Sequence, residues 1–248
     1  MTIPHGFRLL LLALLTLLVA PVSDAQTPAQ PSKPVSPEAQ KALELMQEAY
    51  GLQNRKRYLD ALMKLDEAEK LTPANPEIFN LRGSIFLSAQ MRDIEKARAE
   101  FSKSQELQPE ALPPRFNLAE LEFVAGNFLA AERAFRGILQ KFDTLPQPMR
   151  HMIQFKVLVA LVKQKKVAEA ESELKANFDF LDETPAYYFS KAVLALADGK
   201  EREGNEWLAK AQIIYKKPEN LPYLDSLMET GYIHSVDIPT AAGSTAKP

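Results

Sequence analysis

The feature that most constrains the fold of this chain is a small residue followed, four positions later, by a large apolar one. The clearest copy lies in residues 116–139, where Ala131 precedes Phe135 and a hinge at Gly126 and Asn127 separates two helical patterns. A lone pair of helices cannot bury both of its apolar faces, so this unit requires copies on either side. The copies are Ala61/Leu65, Ala97/Phe101, Ala131/Phe135, Ala170/Leu174 and Gly204/Leu208.

The spacing of these copies indicates a repeat of nearly constant length. Successive copies lie 36, 34, 39 and 34 residues apart. The matching inner positions of the first helices are Ala49, Gly83, Ala119, Leu158 and Ala192. Their distances to the following copy predict two extra residues in the turn near residues 90–93. Five more are expected in an irregular joint at 141–150, because Pro146 and Pro148 oppose a simple tight turn.

Cap signals agree with the helix starts and ends deduced from the spacing. Ser36-Pro37, Asn75-Pro76 and Thr184-Pro185 each place a capping side chain before a proline at the first helical position. Gly126 and Gly199 stand at turns between paired helices, where a helix end favours glycine. Two independent signals therefore support the same helix pairs.

The repeat length and the small-large pattern resemble the tetratricopeptide repeat, a helix pair of 34 residues with Ala-x-x-x-Phe in its second helix. The resemblance covers residues 37–217, and Pro73 and Pro109 stand where that family tends to end a repeat. It implies an all-α fold, a right-handed α-solenoid of about five helix pairs with a C-terminal capping helix. The expected repeats are 38–75, 76–111, 112–145, 146–184 and 185–217.

The segment after the repeats is predicted to supply the cap, because a solenoid needs a terminal element with one polar side. Residues 218–236 hold this helix and its adjoining segment, and Gly231 is expected to end the helix. Residues 237–248 lack an apolar pattern and are expected to form a disordered tail. The apolar stripe of the predicted helix consists of Leu221, Leu224, Leu227 and Met228.

In tetratricopeptide proteins the first helix of each repeat lines a concave groove, so the resemblance implies a partner-binding surface here. The implied positions in each helix lie at i, i+4 and i+7 and therefore share one face. They are Met46, Tyr50 and Gln53; Asn80, Ser84 and Leu87; Phe116, Glu120 and Phe123; Phe155, Val159 and Val162; and Phe189, Val193 and Leu196.

This face differs from the chaperone-binding version of the groove, which holds a terminal carboxylate with Lys, Asn and Arg. The chain lacks that basic set, so the expected groove is apolar and aromatic and binds a protein or peptide. Phe123, and Phe116 to a lesser degree, are predicted to be partly exposed, with Glu120 setting ligand orientation or charge preference. The alternative is that these side chains pack between neighbouring helices.

The first 25 residues predict a secretory signal peptide. Arg8 precedes an apolar run at residues 9–20 that is interrupted only by Thr16, and small residues at Ser23 and Ala25 predict cleavage before Gln26. An uncleaved membrane anchor is the alternative, but a run of twelve residues is shorter than the roughly 20 apolar residues that span a bilayer. The mature protein is therefore expected to be periplasmic or secreted, with no stable membrane span, and residues 26–37 form a Pro-rich spacer.

Composition disfavours several classes of function. The net charge of −2 argues against general nucleic-acid binding, which needs a concentrated positive face. The chain has no cysteine, so disulfides and thiolate metal sites are excluded. No metal-binding, nucleophile or phosphate-loop motif occurs, and neither His151 nor His234 falls in a recognisable motif. We therefore expect no cofactor, no metal and no catalytic residue.

Three functional hypotheses follow. The first is an exported, non-catalytic scaffold that binds another protein or peptide through its concave face. The second is a structural envelope protein that self-associates through its terminal helices, so a homo-oligomer is possible. The third, an enzyme, would require a close carboxylate pair in a deep pocket, with at least one raised pKa.

Overall fold

The computed structural model describes residues 36–234, and every regular element in that range is an α-helix. The predicted signal peptide, nearly all of the spacer and the predicted tail lie outside the described residues. The helices are α1 (Pro37–Asn54), α2 (Tyr58–Leu71), α3 (Pro76–Leu87), α4 (Ile94–Leu107), α5 (Leu112–Val124), α6 (Phe128–Lys141), α7 (Gln147–Lys163), α8 (Val167–Asn177), α9 (Ala186–Ala197), α10 (Glu201–Ile214) and α11 (Lys217–Glu229).

The helices form two compact units, which meet in sequence within α5, between Asn117 and Leu118. In the N-terminal unit, α1 packs on α2 and α3 on α4, and α3 also contacts the preceding pair. In the C-terminal unit, α7 packs on α6 and α8, and α9 packs on α10 and α7. Each unit is thus a stack of helix pairs, and the predicted all-α solenoid architecture is confirmed.

The small-large positions are buried between the paired helices, as the pattern predicts. Two glycines, Gly83 at the inner position of a first helix and Gly204 at the small position of a second helix, explain why small residues are required between paired helices. A Cβ atom on Gly83 would lie 2.6 Å from the ring of Phe101, and one on Gly204 would lie 2.6 Å from Leu196 Cγ. Because these distances are shorter than any normal van der Waals contact, the helix backbones can approach this closely only without side chains.

The turn within each repeat uses one residue in the left-handed region. Gly126 (φ 79°) and Gly199 (φ 73°) fill this position in repeats three and five, as predicted. Repeats one, two and four place non-glycine residues there, with φ of 61° at Lys56, 41° at Arg92 and 64° at Lys165. These five positions recur at the same intervals as the small-large copies, so the turn geometry follows the repeat even where the sequence departs from glycine.

The two extra residues of the second repeat lie in its turn, as the spacing predicts. In repeat three the turn closes with a hydrogen bond from Asn127 N to Glu122 O, five residues back, at 2.9 Å. In repeat two the matching bond runs from Asp93 N to Phe86 O, seven residues back, also at 2.9 Å. The Schellman-type closure is therefore preserved around the insertion.

The predicted irregular joint at 141–150 is wrong, because most of the insertion is helical. α6 continues to Lys141 and α7 begins at Gln147, so the extra residues lengthen α7 to 17 residues against 13 in α5. Pro146 occupies the cap position and Pro148 the first turn of α7. Proline is tolerated there, since the first N–H groups of a helix have no intrahelical partner.

Two of the three predicted N-caps are confirmed. Ser36 Oγ accepts a hydrogen bond from Ala39 N at 3.2 Å, and Asn75 Oδ1 accepts one from Glu77 N at 3.1 Å. Thr184 does not cap α9, which begins two residues later. Its hydroxyl is buried instead, 2.7 Å from His151 Nδ1, a partner on another helix that local sequence cannot indicate.

The terminal helix α11 exists as predicted, and Gly231 follows it with φ of 73°. Its buried face differs from the predicted stripe, because Leu221 and Met228 are only half-buried. Tyr223 is buried in their place, packed against two phenylalanine rings of the repeats. The buried residues of α11 are Asn220, Tyr223, Leu224, Ser226 and Leu227.

Candidate protein-binding surface

In the N-terminal unit the predicted groove positions form a partly exposed and mostly polar face. Gln53 Nε2 donates a hydrogen bond to Ser84 Oγ at 3.0 Å, and Asn117 Nδ2 donates one to Asn80 Oδ1 at 2.6 Å. Gln53 and Ser84 are buried, as is Leu87, whereas Asn80 is half-buried. The expectation of an apolar and aromatic groove does not hold here, because amide and hydroxyl groups hydrogen-bond across the first helices.

Apolar groups on this unit remain accessible along α1. Met46 and Tyr50 are half-buried, and Leu43 is 45% exposed. These three residues lie at i, i+3 and i+7, so they share one face, which we call the α1 stripe. Sequence reasoning included Met46 and Tyr50 in the groove but missed Leu43, although the same helical spacing could have indicated it.

In α5 the prediction of exposed phenylalanines is wrong. Phe116 is 3% exposed and Phe123 only 1%. The turn into α6 places Phe128 edge-on to Phe123, with ring centroids 5.8 Å apart, and Phe135 lies at 6.3 Å on the same ring. Phe123 is therefore a core residue of the third repeat.

Two of the predicted groove positions, Phe155 of α7 and Phe189 of α9, are buried beneath α11, the last helix of the described residues. Phe155 and Phe189 are both fully buried. Tyr223 of α11 has its ring centroid 5.0 Å from that of Phe155, and it stacks on Phe189 at 5.1 Å with an interplanar angle of 27°. In the C-terminal unit, α11 covers the surface that sequence reasoning assigned to a partner. On the same helical faces, the buried positions are Val159, Val162 and Val193, and the half-buried one is Leu196.

A buried ion pair lies at the edge of this covered surface. Lys156 is 5% exposed, and its Nζ lies 2.9 Å from Glu120 Oε1 and 3.0 Å from Glu120 Oε2. The same ammonium donates to Ser226 Oγ at 3.0 Å and lies 4.6 Å from the Phe123 ring centroid. Lys156 thus joins α5, α7 and α11. Sequence reasoning missed it, although a single Lys within an apolar helical run is a recognisable signal.

Asp225, next to Ser226, is the most perturbed carboxyl group of this surface. Burial raises the pKa of Asp225 to about 7, while nearby Lys156 opposes the rise and Glu229 and Glu120 add to it. Among the described residues none donates a hydrogen bond to Asp225 Oδ1. Burial of this carboxyl disfavours its ionised form, so protonation of Asp225 favours the folded state.

A second exposed surface lies at the α8–α9 loop and the end of α10. Phe180 and Leu181 in the loop are 56% and 78% exposed, and Ile213 and Ile214 are 81% and 55% exposed. The two segments are connected, because the hydroxyl of Tyr215 donates to Asp182 O at 2.7 Å. We call the four apolar residues the loop patch. It was not among the surfaces predicted from the sequence.

Metal-binding clusters and membrane spans are both absent from residues 36–234. No group of three or more His, Cys, Asp or Glu side chains there is arranged to hold a metal ion. None of the helices in that range is long and apolar enough to cross a bilayer.

Known structures with similar helix pairs identify the fold. The chain is similar to a tetratricopeptide repeat protein from Parabacteroides merdae, with TM-score 0.56 and 19% identity over 75% of this chain and 71% of that one. It is also similar to pilF of Pseudomonas aeruginosa, with TM-score 0.56 and 12% identity over 79% of this chain and 94% of that one. The fold is that of tetratricopeptide repeats.

A third similar structure is a thermophilic tetratricopeptide repeat protein of Thermus thermophilus. It has TM-score 0.55 and 19% identity over 75% of this chain and 99% of that one. No protein-family model matches the sequence, and neither does any curated protein sequence. At sequence identities this low, the similarity to tetratricopeptide repeat structures establishes the fold alone.

Proposed function

We propose that this tetratricopeptide-fold protein is an exported, non-catalytic scaffold that binds another protein or peptide. The observation that carries the proposal is the seating of α11. In the C-terminal unit, the first helices of the repeats form a face, the first-helix face, that binds α11. Tyr223 stacks on Phe189, and the buried ammonium of Lys156 donates a hydrogen bond to Ser226 Oγ. A surface that binds one helical segment of its own chain has the chemistry to bind another.

Export rests on the sequence of residues 1–25, with cleavage after Ala25. The mature protein would then begin at Gln26 in the periplasm or the medium. N-terminal sequencing of the exported protein tests this directly, and an intact Met1 terminus would contradict it.

The proposal of a non-catalytic role is supported by the position of the one strongly perturbed carboxyl among the described residues. Asp225 has the raised pKa that an enzyme hypothesis requires. Its surroundings, however, are those of a helix interface, since its neighbour Ser226 is hydrogen-bonded to Lys156 and the flanking rings are packed. A general acid must reach a substrate, and this carboxyl faces the protein's own helices.

The proposed binding is tested by capture from an envelope extract and from the culture medium of the exporting cell. The full chain is compared with a Leu43→Ser, Tyr50→Ala double variant, which removes two side chains of the α1 stripe. The matched control is Leu59→Ser with Met63→Ala, which alters two residues of α2 that are 70% and 62% exposed. Loss of a captured protein with the first variant and its retention with the control would support the proposal. Equal capture by all three proteins would contradict a role for the α1 stripe in binding.

Self-association is a second candidate function, favoured by the exposed loop patch. Each of its four apolar side chains is more than half exposed, and large exposed apolar patches mark interaction surfaces in soluble proteins. Size-exclusion chromatography with light scattering tests the candidate on the full chain and on an Ile213→Ser, Leu181→Ser variant. A stable oligomer that the variant loses supports self-association, and a monomeric wild-type protein rules it out at the concentration used.

A further inference from the structure

We propose that α11 is an exchangeable ligand of the first-helix face, and that the partner is an amphipathic helix that takes its place. This inference rests on the proposed scaffold function and specifies the partner of the same site. Four features support this inference: the helices that α11 packs against, the polar groups that this packing buries, the link between α11 and α10, and the side-chain pattern of its buried face.

The packing of α11 resembles that of a peptide bound in a groove more than that of the first helix of a further repeat. A sixth first helix would pack on the fifth repeat alone, whereas α11 contacts α10, α9 and also α7 of the fourth repeat. Tyr223 is the anchor, because its ring packs against both Phe155 and Phe189. After the helix, the ring of Tyr232 lies 4.5 Å from Lys163 Nζ on the last turn of α7. The segment therefore lies along the face of α7 over at least two turns.

The buried face of α11 is polar to an extent that favours release. It includes Asn220, Ser226 and the largely covered Asp225, and no described residue satisfies Asn220 Oδ1 or Asp225 Oδ1. Buried polar atoms without hydrogen bonds cost free energy that water would recover once the helix leaves. Pro222, inside α11, also lacks an N–H for the helical ladder. Asn220 Nδ2 does donate to Ala211 O and Tyr215 O at the end of α10, so the features that weaken α11 are the unsatisfied Asp225 Oδ1 and the missing N–H of Pro222.

The connection to the rest of the chain permits such a movement. Only Tyr215 and Lys216 separate α11 from α10, and Tyr215 is held by its own bond to Asp182 O. Release of α11 requires the link to change its backbone angles, which would break the hydrogen bonds from Asn220 Nδ2 to Ala211 O and Tyr215 O. A short link between two helices acts as a hinge when the contacts beyond it are marginal.

The contacts that α11 makes define which side chains a partner helix would need. An incoming helix needs an aromatic ring at the Tyr223 position and aliphatic side chains one and four residues later, as Leu224 and Leu227 provide. It also needs a hydroxyl or carboxylate three residues after the ring, where Ser226 accepts a hydrogen bond from Lys156. These positions, i, i+1, i+3 and i+4, lie on one side of a helix, so the partner would bind as an amphipathic helix in a groove.

The first test measures amide hydrogen exchange of the full wild-type chain by mass spectrometry. If α11 is exchangeable, its amides become labelled at least tenfold faster than those of α7 under native conditions, through local opening. If amides of α11 and α7 exchange together, at the rate of global unfolding, α11 is a fixed part of the fold and the proposal is wrong.

The second test supplies α11 in trans as a labelled peptide of residues 215–233. The full chain with Tyr223→Ala should bind it at least tenfold more tightly than wild-type protein does, because its own helix competes less well. The matched control is Leu221→Ala, which removes a half-buried apolar side chain of the same helix and should bind like wild type. A peptide that carries the same Tyr223→Ala change should lose binding.

Failure of either test separates this inference from the scaffold function. If the peptide binds wild-type and Tyr223→Ala chains equally, or binds neither, exchange at this face is excluded. Capture of a partner through the α1 stripe would then still stand. Peptide exchange without any captured partner would instead contradict the scaffold proposal and leave α11 as an intramolecular ligand.

Discussion

The burial of single side chains determines which part of the first-helix face belongs to the core and which part is accessible to a partner. Phe123 illustrates the distinction, because sequence reasoning placed it on the partner-binding surface and the structure surrounds it with Phe128, Phe135 and Lys156. We predict that Phe123→Ala lowers the free energy of unfolding by about 3–5 kcal/mol, as for other buried phenylalanines. Urea denaturation measures this value.

The control for Phe123→Ala is Phe180→Ala, which truncates a phenylalanine of the loop patch. Surface substitutions of this kind change stability by about 0.5 kcal/mol or less. A result in which both variants unfold at the wild-type urea midpoint would show that Phe123 is not core.

The close approach at Gly83 gives a second prediction at the residue scale. Gly83→Ala places a methyl group 2.6 Å from the buried ring of Phe101, so we expect a loss of about 1–3 kcal/mol from overpacking. Gly137→Ala is the control, since nothing lies within 4 Å of its Cβ position in α6. There the same change should raise stability by about 0.5–1 kcal/mol through helix propensity. Thermal unfolding of both variants measures these changes. An unchanged or higher melting temperature for Gly83→Ala would contradict the close packing of Gly83 on Phe101.

We predict that Asp225 makes the stability of the protein dependent on pH. Its folded-state pKa of about 7 lies above the unfolded value near 3.9, so the folded state binds a proton that the unfolded state lacks between these values. Stability from this group is therefore present at low pH and is lost as pH rises through 4 to 7. Asp225→Asn remains neutral at every pH. We expect its unfolding free energy to rise relative to wild type by roughly 1–3 kcal/mol between pH 5 and pH 8.

Urea denaturation of wild type and Asp225→Asn at both pH values measures this difference. Lys156, Glu120 and Glu229 face the same carboxyl and are retained in the variant, so their charges act on both proteins. Asp143→Asn, a change in the α6–α7 loop, should follow the wild-type curve. Parallel curves for wild type and Asp225→Asn would rule out the coupling.

At the scale of elements, the turn inside each repeat is shared by glycine and non-glycine residues. Lys165 adopts φ of 64° in the turn between α7 and α8, where repeats three and five use glycine. A left-handed backbone costs a residue with a Cβ atom roughly 1 kcal/mol or more. We predict that Lys165→Gly stabilises the protein by about 1 kcal/mol in thermal or urea unfolding. Lys175→Gly, inside α8, should destabilise by a similar amount. Destabilisation by both changes would mean that the turn does not need the left-handed conformation.

The elements of the fold were predictable because their signals are local. The turns at Gly126 and Gly199, the caps Ser36 and Asn75, and the small-large spacing all lie within a few residues of the structure that they specify. The helical extension of α7 was missed, because prolines such as Pro146 can equally break a helix or begin one. Only the length of the apolar run that follows distinguishes these outcomes.

At the scale of the whole molecule, the exposure of the face was not predictable from local pattern. The contact between Lys156 and Ser226 joins residues 70 positions apart, and no periodicity within a repeat indicates it. A terminal helix was predicted, but a helical stripe cannot specify which neighbouring face the helix covers. The buried side of α11 consequently includes Tyr223 and Asn220, which the predicted leucine stripe omitted.

The position of α11 also has a consequence for the order in which the chain is made. Phe155 and Phe189 leave the ribosome well before Tyr223, which covers them in the finished protein. Until then the nascent C-terminal unit presents an open aromatic surface, which is the kind of surface that chaperones recognise and that promotes aggregation. A ribosome that stalls between α10 and α11 would release a chain with all five helix pairs and an uncovered face. The aromatic face of the repeats therefore stays uncovered until α11 itself has been synthesised.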